Sequence, residues 1–107
     1  MLMFAYRFVP FEFWVDTKGN IEDDDAERLS ELIVKYSSWC MTIVVHMQTD
    51  LFSASVEEME ALVTKACAIA TKKSKHWMKR YYYFGYECKD GRFVIKVCKR
   101  GGINEWD

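Results

Sequence analysis

The chain has 107 residues, half of them hydrophobic and 16% aromatic, with one Pro and five Gly. That length suits a single core, and the composition excludes a disordered chain and argues against a second domain, so residues 1–107 read as one globular unit with 101–107 as a short C-terminal tail. The net charge of −1 conceals a polarity, twelve Asp/Glu against four Lys/Arg in residues 1–62 and four against eleven in residues 63–107, and such asymmetry points to contact with something charged.

Residues 2–16 are dense in Phe, Tyr, Trp and Val, with Phe11, Phe13 and Val15 alternating against Glu12, Trp14 and Asp16. This predicts one strand, with Pro10 placing it at an edge, a bulge or a kink. "DTKGN" at 16–20 reads as a turn. "EDDDAERLSELIVKY" then sets Ala26, Leu29, Leu32, Ile33 and Tyr36 on one helical face, with the acidic run at its N-terminus. "WCMTIVVHMQ" at 39–48 is β-branched and apolar on both faces, the pattern of an interior strand. In "SASVEEMEALVTKACAIATKK", Ser55 and Glu58 are spaced as a capping box ahead of a stripe of Val56, Met59, Leu62, Val63, Ala66, Ile69 and Ala70, which predicts the second helix. The last third reads as a hairpin about Asp90-Gly91, a pair suited to a type I′ turn. That register sets Cys88 opposite Phe93, Tyr86 opposite Ile95 and Phe84 opposite Val97, and turns Cys88 and Cys98 to opposite sides. Gly101-Gly102 is read as a bend that lets Ile103 and Trp106 dock.

The order β-α-β-α-β-β predicts an α/β domain, with α+β as the neighbouring description. Its form is a two-layer sandwich with two helices on one face of a four-stranded mixed sheet that ends in a hairpin. The other sheet face is left relatively open.

Cys40, Cys67, Cys88 and Cys98 sit singly, at spacings of 27, 21 and 10, unlike a zinc ribbon or a paired redox motif, and are read as buried free thiols. The N-terminus lacks the form of a signal peptide, and no apolar run approaches a membrane span, so a reducing cytoplasm is the expected compartment. Cys40 and His46 fall on one strand about 20 Å apart, too far for a dyad. Glu22 to Asp25 lacks the alternating ligands and fixed glycine of a calcium loop, and there is no glycine-rich phosphate loop. No enzyme activity, metal or other cofactor is therefore expected.

"KKSKHWMKRYYYFGY" at 72–86 divides into lysines at a helix C-terminus, which complement its dipole, and a strand with Tyr82, Phe84 and Tyr86 facing the core. What remains is the other face, where Tyr81 and Tyr83 join Lys79, Lys96, Arg100 and Trp14. Aromatics beside cations on a sheet suit stacked bases, and equally a protein interface.

The expected function is a small non-enzymatic protein-binding module: an inhibitor, adaptor or immunity-type partner of a larger cytoplasmic protein. It would act through an acidic, nucleic-acid-mimicking surface of Glu22, Asp23, Asp24, Asp25, Glu27 and Glu31. The alternative is a nucleic-acid binder using the basic aromatic hairpin face. A homodimer fits either reading, because edge strands invite association.

Overall fold

The structure is a computed structural model, and it describes residues 1–37, 42–52, 55–74 and 82–99. The elements are β1 (Leu2–Val9), β2 (Glu12–Gly19), α1 (Asp25–Ser37), β3 (Thr42–Phe52), α2 (Val56–Ser74), β4 (Tyr82–Lys89) and β5 (Arg92–Lys99). They form one five-stranded mixed sheet in the order β1-β2-β3-β5-β4. The β2–β3 pairing is parallel and crossed over by α1, while β1–β2, β3–β5 and β4–β5 are antiparallel. After β3, α2 carries the chain past one strand position, and β5 returns from β4 to fill it. Both helices pack on the same sheet face, as the expected two-layer sandwich requires.

The sheet has five strands rather than four because residues 2–16 are not one strand. The chain reverses at Pro10-Phe11, and β1 lies back along β2 with Val9 opposite Glu12 and Leu2 opposite Gly19. Proline presets φ for the first central residue of a tight turn, and Phe11 takes the second at φ 67°, a position that usually selects Gly or Asn. With Phe there, the turn carries only the proline half of its signature. The "DTKGN" segment is likewise mostly strand, and the chain leaves β2 at Gly19, φ 102°.

The C-terminal hairpin matches its expected register, with Cys88 opposite Phe93, Tyr86 opposite Ile95 and Phe84 opposite Val97. Asp90 (φ 51°) and Gly91 (φ 73°) supply the two positive angles of a type I′ turn, and the Gly91 carbonyl accepts from the Met47 amide at 3.1 Å, which ties the turn to β3.

The core lies between sheet and helices. Phe13, Val15, Ile43, Val45, Phe93 and Ile95 are essentially sealed against Leu29, Ile33, Met59, Val63 and Ala66. On α1, Ala26, Leu29 and Ile33 are buried, with Leu32 and Tyr36 half-buried. The capping box at α2 forms: the Glu58 amide donates to Ser55 Oγ at 3.2 Å, and Ser55 N reaches Glu58 Oε1 at 3.4 Å. Val56 departs from the expected stripe and is exposed. The cysteines depart in part too: Cys67 is buried, but Cys88 is exposed and Cys98 half-buried.

A bulky side chain at positive φ is strained by about 1–2 kcal/mol, and the Phe11 ring is 89% exposed, so it recovers little by packing. Phe11→Gly is therefore expected to raise stability by about 0.5–1 kcal/mol after allowing for glycine's greater chain entropy. A urea midpoint that moves upward at unchanged slope is the expected result.

Candidate functional site

Strand register decides what meets on the helix-free face of the sheet. Side chains alternate along each strand, so with Phe13, Val15 and Val45 turned to the helices, Glu12, Trp14 and Asp16 of β2 face the other way with Arg7 of β1, Val44 and His46 of β3, and Arg92, Val94 and Lys96 of β5. Arg7 sits directly opposite Trp14, Asp16 opposite His46, and His46 opposite Arg92. Five residues distant in sequence are thus drawn into one cluster.

Its centre is Asp16, only 8% exposed. Its carboxylate accepts from Arg7 Nε at 2.9 Å and Nη2 at 3.4 Å, and from His46 Nδ1 at 3.0 Å. A carboxylate this enclosed needs such donors to offset its lost hydration. The Arg7 guanidinium lies over the Trp14 ring, 4.4 Å from its centroid, while that of Arg92 stands 5.8 Å away and the His46 ring is tilted at 5.6 Å. Trp14 Nε1 donates to Glu12 Oε1 at 3.0 Å. The indole is therefore half-buried and held on several sides, with cation–π contacts of about 0.5–1 kcal/mol each at such sites.

Of the residues expected on this face, Trp14, Tyr83 and Lys96 are there. Tyr83 is 40% exposed, and Lys96 pairs with Glu87 at 3.8 Å. Gly85 lies between them, where a Cβ would come within 3.0 Å of Cys98 Sγ and 3.4 Å of the Tyr83 ring. β3 and β5 separate Trp14 from Tyr83, about 14 Å at ordinary strand spacing, so the two aromatics do not form one platform. Lys79, Tyr81 and Arg100 lie outside the described residues, as do Cys40 and the tail at 101–107.

Arg7, Asp16, His46 and Arg92 were not anticipated. The signal for Arg7 was the Pro10-Phe11 reversal, which sets it opposite Trp14. Asp16 and His46 meet through a parallel pairing between strands 30 residues apart, and no local pattern encodes that.

The acidic candidates fare differently. Asp25 is fully buried and so is not part of an accessible acidic surface. Its Oδ2 accepts the amides of Glu22 at 2.7 Å and Leu2 at 3.1 Å, and its Oδ1 takes Arg28 Nη1 at 2.6 Å. Arg28 also donates to the Leu2 carbonyl at 2.9 Å. Burial works to raise the Asp25 pKa, but the two amides and the Arg28 charge outweigh it and hold the carboxyl below its ordinary value. Glu27 pairs with Lys73 of α2, which also stands 3.9 Å from Glu31. Glu22, Asp23 and Asp24 remain exposed, and Glu22 and Asp23 line a cleft of about 310 Å³ completed by Glu58, Leu62 and Lys65 of α2.

Among the described residues no cluster of His, Cys, Asp or Glu is arranged to hold a metal ion, and no helix is long and apolar enough to cross a membrane. Burial, with a smaller effect from Cys98, pushes the Cys67 thiol up to about 12, which leaves it almost wholly protonated and unreactive near neutrality. Comparison with protein-family models, curated proteins and solved structures finds no match to this chain.

The Asp25 contacts carry a pH dependence. Because its folded pKa lies below the unfolded value of about 3.9, its contribution is complete above that pH and is lost as pH falls through the folded value. Asp25→Asn is expected to cost about 1–3 kcal/mol at pH 7, and the gap to wild type should narrow below pH ~4, as read from urea unfolding at both pH values.

Proposed function

We propose that this protein is a small non-enzymatic binding module for another protein, an inhibitor, adaptor or immunity-type partner, and that it engages its target through the helix-free sheet face. The observation that carries this reading is the Arg7–Trp14–Arg92 cluster. Trp and Arg are the side chains most often found at energetic hot spots, and two of these three, Arg7 and Trp14, are held in place beforehand by Asp16 and Glu12, which lowers the entropy lost on binding. The acidic surface is the weaker candidate, because Asp25 is committed to the fold and Glu27 and Glu31 face Lys73. The free thiols Cys67, Cys88 and Cys98 suit a reducing cytoplasm.

One observation favours a nucleic-acid reading. Glu27, Glu31, Glu57, Glu58 and Glu60 belong to the helical layer, whereas Arg7, Lys18, Lys89, Arg92 and Lys96 belong to the helix-free face by strand alternation. The fold turns much of the acidic half away from where a phosphate backbone would lie, which reduces the main electrostatic objection, while Asp16 and Glu87 on the same face pair with Arg7 and Lys96.

Two measurements separate the readings. Affinity capture with wild type and Arg92→Ala is expected to retain a defined protein with the first and lose it with the second, a weakening of about thirtyfold for a 2 kcal/mol hot spot, while Glu31→Gln leaves capture intact. Fluorescence anisotropy against labelled single-stranded and duplex DNA and RNA is expected to show no binding at ~50 mM salt; binding there that falls steeply by ~200 mM would transfer the face to nucleic acid.

A further inference from the structure

Among the described residues, β1 is an edge strand without the usual protection. Edge strands are normally blunted by lysines, inward charges or bulges, but β1 reads LMFAYRFV with one charge, Arg7, and that charge is turned to the helix-free face and neutralised by Asp16. The opposite edge, β4, ends in the exposed charges Glu87 and Lys89. On the helix side of β1, Tyr6 and Phe8 are 52% and 60% exposed. They extend an aromatic row outward from the core: Tyr36 stacks on Phe13 at 3.8 Å, and Phe13 meets Phe8 at 5.0 Å and Tyr6 at 5.6 Å. Among the described residues, the apolar layer therefore continues past α1 and stops uncovered.

The backbone says which groups are free. Leu2 gives its amide to Asp25 and its carbonyl to Arg28, so both point away from β2. In an antiparallel ladder alternate residues point the same way, which makes Phe4, Tyr6 and Phe8 the outward-facing residues. The two-residue reversal agrees, since it makes Val9 and Glu12 a mutually bonded pair and sets Arg7 and Ala5 in the same inward class.

We propose that β1 pairs antiparallel with β1 of a second copy of this chain, about a two-fold axis at Tyr6. The segment Phe4-Ala5-Tyr6-Arg7-Phe8 is symmetric in its outward residues. With Tyr6 opposite Tyr6, Phe4 meets Phe8 of the second copy, and all three outward pairs are aromatic, with about six inter-chain hydrogen bonds. The neighbouring registers are disfavoured. A shift toward the C-terminus sets Arg7 directly against Arg7, and a shift the other way drives Phe8 onto Leu2, whose amide and carbonyl are already taken. The product is a ten-stranded sheet with four helices on one side and two continuous helix-free faces on the other. This inference is independent of what those faces bind.

Tyr6→Cys tests the register. Opposed residues of a bonded antiparallel pair have Cα atoms about 5.5 Å apart, within disulfide reach. Under mild oxidation Tyr6→Cys is expected to give a covalent dimer on a non-reducing gel above the wild-type background. Phe4→Cys and Phe8→Cys are each expected to fail alone and to cross-link when mixed. In sedimentation equilibrium, wild type is expected at twice 12.7 kDa and Tyr6→Lys, folded by circular dichroism, at the single mass. A wild type that stays at the single mass at its highest soluble concentration would overturn the proposal. So would a dimer that persists in Tyr6→Lys, or self-cross-linking by Phe4→Cys alone.

Discussion

The fold hangs on one buried carboxylate. Asp25 accepts the amide that opens β1 and the amide of Glu22 ahead of α1, and it holds Arg28, which returns a bond to Leu2. These bonds attach the start of α1, where the β2–β3 crossover enters the helical layer, to the outer strand of the sheet. A buried charge with fewer donors would be strongly destabilising, so the site is all or nothing: fully bonded it anchors the layers, and partly bonded it works against them. The same bonds occupy both outward backbone groups of Leu2 and, among the described residues, leave the rest of the β1 edge free.

Asp16 plays a comparable part on the helix-free side. It is nearly enclosed, and its two oxygens are shared between Arg7 and His46. That fixes the guanidinium over Trp14 and leaves Arg92 beside the same indole. The cluster couples β1, β2, β3 and β5 through side chains on the face the helices do not reach, so its rigidity comes from the sheet's own register.

How far this was legible in the sequence varies by element. The 82–99 hairpin was readable to the residue, because Asp90-Gly91 dictates a turn of known length and strand alternation then assigns every pair. The second helix was equally plain, since its cap and its stripe repeat at helical spacing. The first hairpin was hidden by Phe11, which holds a positive φ that chain statistics reserve for Gly or Asn, and the loss of that turn concealed the Arg7–Trp14 pair. The acidic run was visible, but nothing local distinguished Asp25, which is buried, from Asp23 and Asp24, which are not.

By itself the sequence determined the order of elements from the first helix onward, the two helical stripes, the C-terminal register and the two-layer form with one face left without helices. These follow from side-chain period and turn chemistry, which act over a few residues. The tertiary structure alone decided that Asp16 meets His46 and Arg7, that Trp14 and Tyr83 stand apart, that much of the acidic half lies in the layer away from the helix-free sheet face, and that β1 is an edge of the sheet. Each of these depends on which strands become neighbours and in what register. Burial of the whole core sets those choices, and no short stretch of chain contains that information.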